Sequence, residues 1–193
     1  MSPVTHFLAS WLVANAAHLQ RRERAIVTLA GVAPDLDGLG IVPEFLTRNS
    51  QHPLLWFSEY HHVLGHNIGF ALVVTFAALL LARKRKLVAA SLALLTFHLH
   101  LFCDLVGARG PEGEQWAIPY LAPFSQRWQL VWHGQWALNA WPNLVITLIA
   151  LAFTFYLAWA RGYSPLEMVS PRTDAAFVAA LRTRFPRSSA TAA

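Results

Sequence analysis

Three long apolar runs constrain this chain more than any other feature of its sequence. They cover about residues 64–82, 87–106 and 143–160. A helix of such a length can cross the hydrocarbon layer of a bilayer, because a helix rises about 1.5 Å per residue. Two shorter apolar stretches, at about 4–20 and 24–34, precede them. We expect these two to form a tilted span, a re-entrant pair or helices buried by the others.

Charge is too scarce in this chain to cover a solvated surface. Charged residues make up 13% of the sequence and hydrophobic residues 55%, whereas a soluble domain carries about 25% charged residues. This composition excludes disorder, a coiled coil and a collagen-like fibre, and it argues against an ordinary soluble enzyme. The single cysteine, Cys103, also excludes an intrachain disulfide and a four-cysteine zinc site.

The predicted fold is therefore all-α, an integral-membrane helical bundle with about four to five membrane-embedded helices. Residues 1–161 are expected to form the membrane-embedded domain, and residues 162–193 a polar C-terminal tail. Within that tail, a short amphipathic helix is predicted over residues 171–184.

The positive charge is concentrated at the ends of the apolar runs. The net charge is +5, and basic residues cluster at 21–24 and 83–86, while Arg161 follows the last run. Nucleic acid is not an expected partner, because the sequence lacks a basic helix face or basic residues interleaved with aromatic ones. Basic clusters beside apolar runs are typical of cytoplasmic ends. We therefore expect a multi-pass protein of the inner (cytoplasmic) membrane, with the lipid bilayer as its partner.

Histidine and aspartate residues collect at the opposite ends of the same runs. They include three of the chain's four Asp residues, and they come from four separate segments: His6; Asp35 and Asp37; His61, His62 and His66; and His98, His100 and Asp104. If the helices are antiparallel neighbours, these residues meet at one end of the bundle and the basic clusters meet at the other. The positive-inside rule then places the site on the extracytoplasmic side.

Imidazole nitrogens and carboxylate oxygens, without a set of thiolates, are typical ligands of a hard-to-borderline divalent metal. His100 and Asp104 are four residues apart, so both project from one helix face. The adjacent residues His61 and His62 do not both face one site easily, so one of them is expected outside it. His98 is expected to face away. The set holds enough ligands for one metal ion or for two.

The order and spacing of these motifs resemble those of the YdjM-like inner-membrane proteins, a family described as membrane-bound metal-dependent hydrolases. The match covers about residues 5–125 and rests on five segments: Thr5-His6, Gly31-Val-Ala-Pro34-Asp35-Leu-Asp37, His61-His62-Val-Leu-Gly65-His66-Asn67, His100-Leu-Phe-Cys-Asp104 and Pro123-Phe124-Ser125. That family is distantly similar to the helical zinc-dependent phospholipase C and single-strand nuclease group. The chain departs from the family pattern where His62, Gly65 and Asn67 replace the family's Arg, Thr and Ser.

The resemblance implies hydrolysis of a phosphoester, in a lipid, an envelope molecule or another small molecule. Zinc is the expected ion, with manganese or iron as alternatives. The expected ligands are His6, Asp35, His61, His66, His100 and Asp104. Asp37 is expected to be a ligand or the group that orients and deprotonates a water molecule. His62 and Asn67 are expected to stabilise charge on the substrate, and Arg109 or Arg127 to bind it in place of the missing Arg.

Two other classes of protein remain open at this point. A transporter, or a protein that conducts ions or protons, also places His and Asp residues in a membrane. It predicts polar residues through the midplane of the bilayer, whereas here they collect at one end. A non-catalytic membrane protein with a structural metal is the other class, and it predicts unfolding when the metal is lost. The sequence leaves the oligomeric state open.

Overall fold

The computed structural model describes residues 1–110, 113–125 and 127–186, and in these residues the chain is helical and has no β-strand. The last part of the predicted tail, residues 187–193, lies outside the described residues. Two 3₁₀ helices cover Ala33–Gly40 and Pro165–Met168. The α-helices are α1 (Pro3–Ala14), α2 (Arg21–Ala30), α3 (Ile41–Thr47), α4 (Trp56–Tyr60), α5 (Ile68–Leu81), α6 (Lys86–Gly107), α7 (Trp141–Arg161) and α8 (Pro171–Arg184).

Two helices of the described chain, α6 and α7, are long and apolar enough to cross a membrane, with 22 and 21 residues. A third candidate span is the pair formed by α2 and the segment Ala33–Thr47, which is bent by 51° at the break between them. The described residues therefore contain two candidate spans, or three if the bent pair is one span. The prediction of four to five embedded helices is not confirmed, because α1 and α5 are shorter apolar helices.

Helix α5 is shorter than the apolar run that predicted it. It has 14 residues, which corresponds to about 21 Å and falls short of the roughly 30 Å hydrocarbon layer. The reason lies in Asn67, which caps the helix by accepting the Phe70 N–H at 2.8 Å. The Asn67 amide also donates to the carbonyls of Val63 and Leu64. Residues 61–67 therefore form a turn, and the helix begins about four residues after the start of the apolar run.

Small side chains allow the central helices to approach one another closely. Ala30, Ala78 and Ala93 are buried together where α2, α5 and α6 meet. In lipid, association depends on such close packing, because large apolar side chains are solvated equally well by lipid tails. Consistently, Leu144 and Phe153 of α7 are exposed on the outer face of the bundle.

The basic clusters meet at one end of the bundle, as predicted. The Glu23 carboxylate of α2 accepts the backbone N–H groups of Arg83 and Lys84, both at 3.0 Å. The Arg22 guanidinium donates to the Leu81 carbonyl at 2.9 Å. These contacts join the 21–24 cluster to the 83–86 cluster and confirm the antiparallel arrangement at this end.

The segment after α7 folds back onto the bundle. Helix α8 confirms the helix predicted over residues 171–184. The Arg24 guanidinium of α2 donates two hydrogen bonds, of 2.7 and 2.6 Å, to the Glu167 carboxylate. Asp174 accepts the N–H and hydroxyl of Ser164 at 2.7 and 2.6 Å. The division into domains at residue 161 stays a prediction.

Candidate metal centre

Four segments bring histidine and aspartate side chains together at the end of the bundle opposite the basic clusters. Asp104, near the carboxyl end of α6, is their common neighbour. Its Oδ1 lies 3.1 Å from His6 Nε2, and its Oδ2 lies 3.0 Å from Nε2 of His100, one helical turn earlier. The His6 and His100 rings stack with their centroids 3.7 Å apart. The convergence predicted from chain direction is therefore present in the fold.

The first ligand group contains His6, Asp35, His100 and Asp104. Each offers one ligand atom, and these atoms all lie within 4.8 Å of one another. His6, His100 and Asp104 are buried, and Asp35 is half-buried. The Asp35 carboxylate comes from the 3₁₀ helix Ala33–Gly40, and its Oδ1 lies 3.6 Å from His100 Nε2.

The second ligand group contains His62, His66 and Asp104, all buried, with ligand atoms again within 4.8 Å of one another. His66 Nε2 lies 3.4 Å from Asp104 Oδ2 and 3.3 Å from His100 Nε2. Asp104 is therefore shared by the two ligand groups.

Partners outside the ligand groups orient the imidazoles. The Nδ1–H of His100 donates to the Gly31 carbonyl at 2.8 Å, and Nδ1 of His66 lies 3.2 Å from Asp37 Oδ2. Each contact leaves Nε2 facing the cluster. Such partners fix the tautomer and the ring plane of a metal-binding histidine.

Asp37 and His61 lie behind His66 and belong to neither ligand group. Asp37 Oδ1 lies 2.8 Å from His61 Nδ1, and Asp37 Oδ2 also accepts the Gly65 N–H at 2.9 Å. The ligand and base roles predicted for Asp37, and the ligand role predicted for His61, stay predictions. Of the two adjacent histidines, the structure places His62 and not His61 in a ligand group, because the backbone turns to φ 67° at His62.

The electrostatics of the cluster favour a cation. Burial lowers the pKa of His62 to about 2, so its imidazole is neutral. Burial opposes charge on His66 as well, but hydrogen bonds to Asp104 and Asp37 outweigh it and raise the pKa of His66 to about 9. The ammonium group of Met1 also donates to Asp104 Oδ1. The Asp104 carboxylate thus attracts positively charged groups.

Several buried polar atoms of the cluster have no hydrogen-bond partner among the described residues, namely His6 Nδ1, Asp35 Oδ2 and His62 Nδ1. A buried polar atom without a partner costs about 1–3 kcal/mol. A donor set of imidazole and carboxylate suits zinc, manganese or iron. The residues present therefore fit a divalent metal.

The three residues predicted to bind substrate belong to neither ligand group. The side chain of Asn67 is engaged in the cap of α5. Arg127 is exposed. Arg109 is half-buried, and its Nε has no partner among the described residues. Their substrate-binding roles stay predictions.

Two residues of the site were missed from the sequence. The Trp116 ring packs against His62 and His61, with centroids 4.4 and 5.5 Å apart. The Gln135 amide donates to the backbone carbonyl of Asp104 at 2.9 Å. Neither has a motif, and only the tertiary fold brings their loops to α6.

A cavity of about 400 Å³ opens onto the cluster. Its polar lining includes Asp35, His62 and Asp104, and most of its other lining residues are apolar, including Leu39 and Trp116. Around it, the apolar side chains of the 3₁₀ helix and α3 are exposed, including Leu39, Ile41 and Phe45. The ligand groups can thus be reached from an apolar surface.

Comparison with known proteins supports the resemblance seen in the motifs. A family model described as YdjM inner membrane protein matches residues 1–181. No curated protein and no solved structure matches the chain. Since the match covers nearly the whole sequence and includes both ligand groups, the chain belongs to the YdjM inner membrane protein family.

Proposed function

We propose that this protein is a membrane-bound hydrolase that uses a divalent metal, with zinc expected and manganese or iron as alternatives, to cleave a phosphoester. One observation carries this proposal: His6, Asp35, His100 and Asp104 present ligand atoms within 4.8 Å of one another. The cavity of about 400 Å³ that reaches Asp35 and Asp104 gives a substrate access to them.

The chemistry is divided between the metal and the chain. A bound divalent ion would lower the pKa of a water ligand to about 7 and polarise a phosphoryl oxygen. The first ligand group would hold the ion, and the Gly31 carbonyl keeps His100 Nε2 turned toward it. Asp37 acts as a positioning residue for His66, because both of its oxygens are already engaged by His61, His66 and Gly65.

An amphiphilic lipid is the substrate that the surroundings favour. A second cavity, of about 460 Å³, is lined by Leu36, Asp37 and Leu39. Leu36 also lines an apolar groove of about 410 Å³ between α2 and α5. A lipid whose phosphoester head lies at the ligand groups would place its hydrocarbon chain in this groove, away from water.

The proposed topology places four to five helices in the membrane. The short apolar helices α1 and α5 would be embedded beside α7 and α6, against which they pack. The basic end would be cytoplasmic by the positive-inside rule. The ligand groups, at the opposite end, would then face the extracytoplasmic side.

The rival functions are less well supported. A conducting protein needs a continuous path of polar side chains along the bundle, whereas an apolar cluster that includes Leu19, Val27 and Ala89 is buried next to the basic end. A purely structural metal needs no access for a substrate, whereas here the cavity reaches the carboxylates of Asp35 and Asp104.

The test is metal content together with activity, measured on detergent-purified protein prepared without chelators. We expect at least one zinc, manganese or iron per chain by plasma mass spectrometry, and cleavage of a phosphoester in a panel of lipid substrates. Asp104→Ala should lose both, because Asp104 belongs to both ligand groups, and His100→Ala should lose activity and the ion held by the first ligand group. The control is His98→Ala, because His98 on the same helix bonds Leu94 and Tyr120 instead. A wild-type protein without metal would overturn the proposal.

A further inference from the structure

We propose that this protein holds two divalent ions, the second bound by His62, His66 and Asp104, with the Asp104 carboxylate bridging the two. The catalytic role of the second ion rests on the proposed hydrolase function, but the binding of that ion can be tested without measuring hydrolysis. Three features support the second ion: the placement of Asp104, the backbone at His62 and the orientation of His66.

Asp104 presents its two oxygens to different imidazoles. Oδ1 lies 3.1 Å from His6 Nε2, whereas Oδ2 lies between the two groups, 3.0 Å from His100 Nε2 and 3.4 Å from His66 Nε2. The carboxylate is buried and belongs to both ligand groups. A carboxylate in such a position can bind one ion through each oxygen, as the bridging ligand of a two-metal centre does.

The backbone at His62 is left-handed. Its φ of 67° lies in a region that only a few per cent of residues other than glycine adopt, and histidine enters it more often than most of them. Its side chain is 7% exposed, and its Nδ1 has no hydrogen-bond partner among the described residues. Backbone strain that delivers an unpaired imidazole into a carboxylate cluster is typical of a functional position.

His66 is the remaining ligand of the second ligand group. Asp37 engages its Nδ1 and leaves Nε2 directed at Asp104. On the outer side, Trp116 packs against the His62 ring at 4.4 Å. The second group therefore offers two imidazoles and one carboxylate. Three protein ligands leave an ion with an open position, which is the pattern of catalytic sites and not of structural ones.

Two ions side by side give the centre a chemistry that one ion lacks. Such a pair can stabilise both the attacking and the leaving oxygen of a phosphoester displacement. In this arrangement His62 is a metal ligand. The role predicted for it from the sequence, stabilising charge on the substrate directly, is the alternative that the experiment must separate.

The experiment counts zinc ions. The purified full-length protein is stripped with a chelator, dialysed and titrated with Zn²⁺ alone, and bound zinc is measured by calorimetry and by plasma mass spectrometry. We expect two ions per wild-type chain and one in His62→Asn. Asparagine is chosen because it tolerates the left-handed backbone. The second variant is His62→Gly, because glycine adopts this backbone conformation without strain. His98→Gln is the control and should keep two.

Cobalt loading gives an independent readout. Two Co²⁺ ions that share Asp104 couple magnetically, so the wild-type paramagnetic resonance signal should be weaker per ion than that of His62→Asn. A wild-type chain with one ion, or a His62→Asn chain that keeps two, would overturn the second position and leave the proposed function standing. A wild-type chain that binds none would overturn both.

Discussion

At the scale of single residues, most of the site depends on how each imidazole is held. His100 and His66 use one ring nitrogen for a fixed oxygen partner and turn the other to Asp104. Asp37 is the oxygen partner of His66, and it accepts hydrogen bonds from two imidazoles and from the Gly65 N–H. Its contribution is orientation, which can be measured separately from ligation.

The Asp37→Asn variant tests this role. We expect zinc affinity to fall about 10- to 100-fold, the usual loss when a carboxylate behind a ligating histidine is removed. Zinc binding by calorimetry is the measurement. Glu44→Gln is the control, because Glu44 is a carboxylate on a neighbouring helix that accepts the N–H and hydroxyl of Ser58. An affinity for Asp37→Asn within about twofold of wild type would contradict the positioning role.

At the scale of elements, the site depends on the close approach of the 61–67 turn to the 3₁₀ helix Ala33–Gly40. Gly65 lies at this contact: a Cβ there would lie 2.1 Å from the Pro34 carbonyl oxygen and 3.1 Å from Asp37 Oδ2. A backbone oxygen cannot move aside as a flexible side chain can. Glycine at this position therefore sets the distance between His66 and Asp37.

Gly65→Ala is expected to separate these two elements. Because the added methyl group would displace the turn, we expect bound zinc to fall to half of the wild-type amount or less, with helix content unchanged by circular dichroism. Leu64→Ala at the adjacent residue is the matched control, because that side chain is 60% exposed. Full zinc binding in Gly65→Ala would show that the turn adapts.

The ion pair between Arg24 and Glu167 joins α2 to the segment after α7. Both side chains are nearly buried, at 10% and 8% exposure, and the Arg24 guanidinium also lies 3.8 Å from the centre of the Tyr163 ring. Removing one partner of a buried pair leaves the other charge uncompensated. Loss of either partner should therefore destabilise the basic end of the bundle strongly.

Glu167→Ala is expected to destabilise the protein by about 3–5 kcal/mol, measured as the free energy of unfolding in detergent. The double variant Arg24→Met, Glu167→Leu should recover much of that loss, because it leaves no buried charge. Arg172→Ala, at an exposed residue of α8, should be close to neutral. A loss below about 1 kcal/mol in Glu167→Ala would place this pair with ordinary surface ion pairs.

At the scale of the whole molecule, the two ends of the bundle differ in chemistry. One end holds both basic clusters, joined through Glu23, and the other holds both ligand groups. The positive-inside rule turns this asymmetry into an orientation. The orientation decides whether a substrate comes from the outer or the cytoplasmic face of the inner membrane.

Cysteine labelling tests the orientation. In a Cys103→Ser background, which removes the single native cysteine, we expect Ser50→Cys to react with a membrane-impermeant maleimide in intact spheroplasts. Lys84→Cys should react only after permeabilisation, because it lies in a basic cluster. Both positions are exposed, so their reactivity compares the two sides of the membrane directly. The reverse pattern would place the site in the cytoplasm.

The sequence by itself determined the membrane character, the all-helical class and the end of the bundle at which His6, Asp35, His66, His100 and Asp104 gather. The length of an apolar run and the direction of a helix are local properties of the sequence. Because successive helices run in alternating directions, these properties decide which residues lie at the same end of the bundle. The tertiary structure alone decided the partners of each side chain. His62 reaches a ligand group because its backbone is left-handed, and Asn67 shortens α5 by capping it. Contacts of this kind depend on how separate segments pack, which no periodicity along the chain encodes.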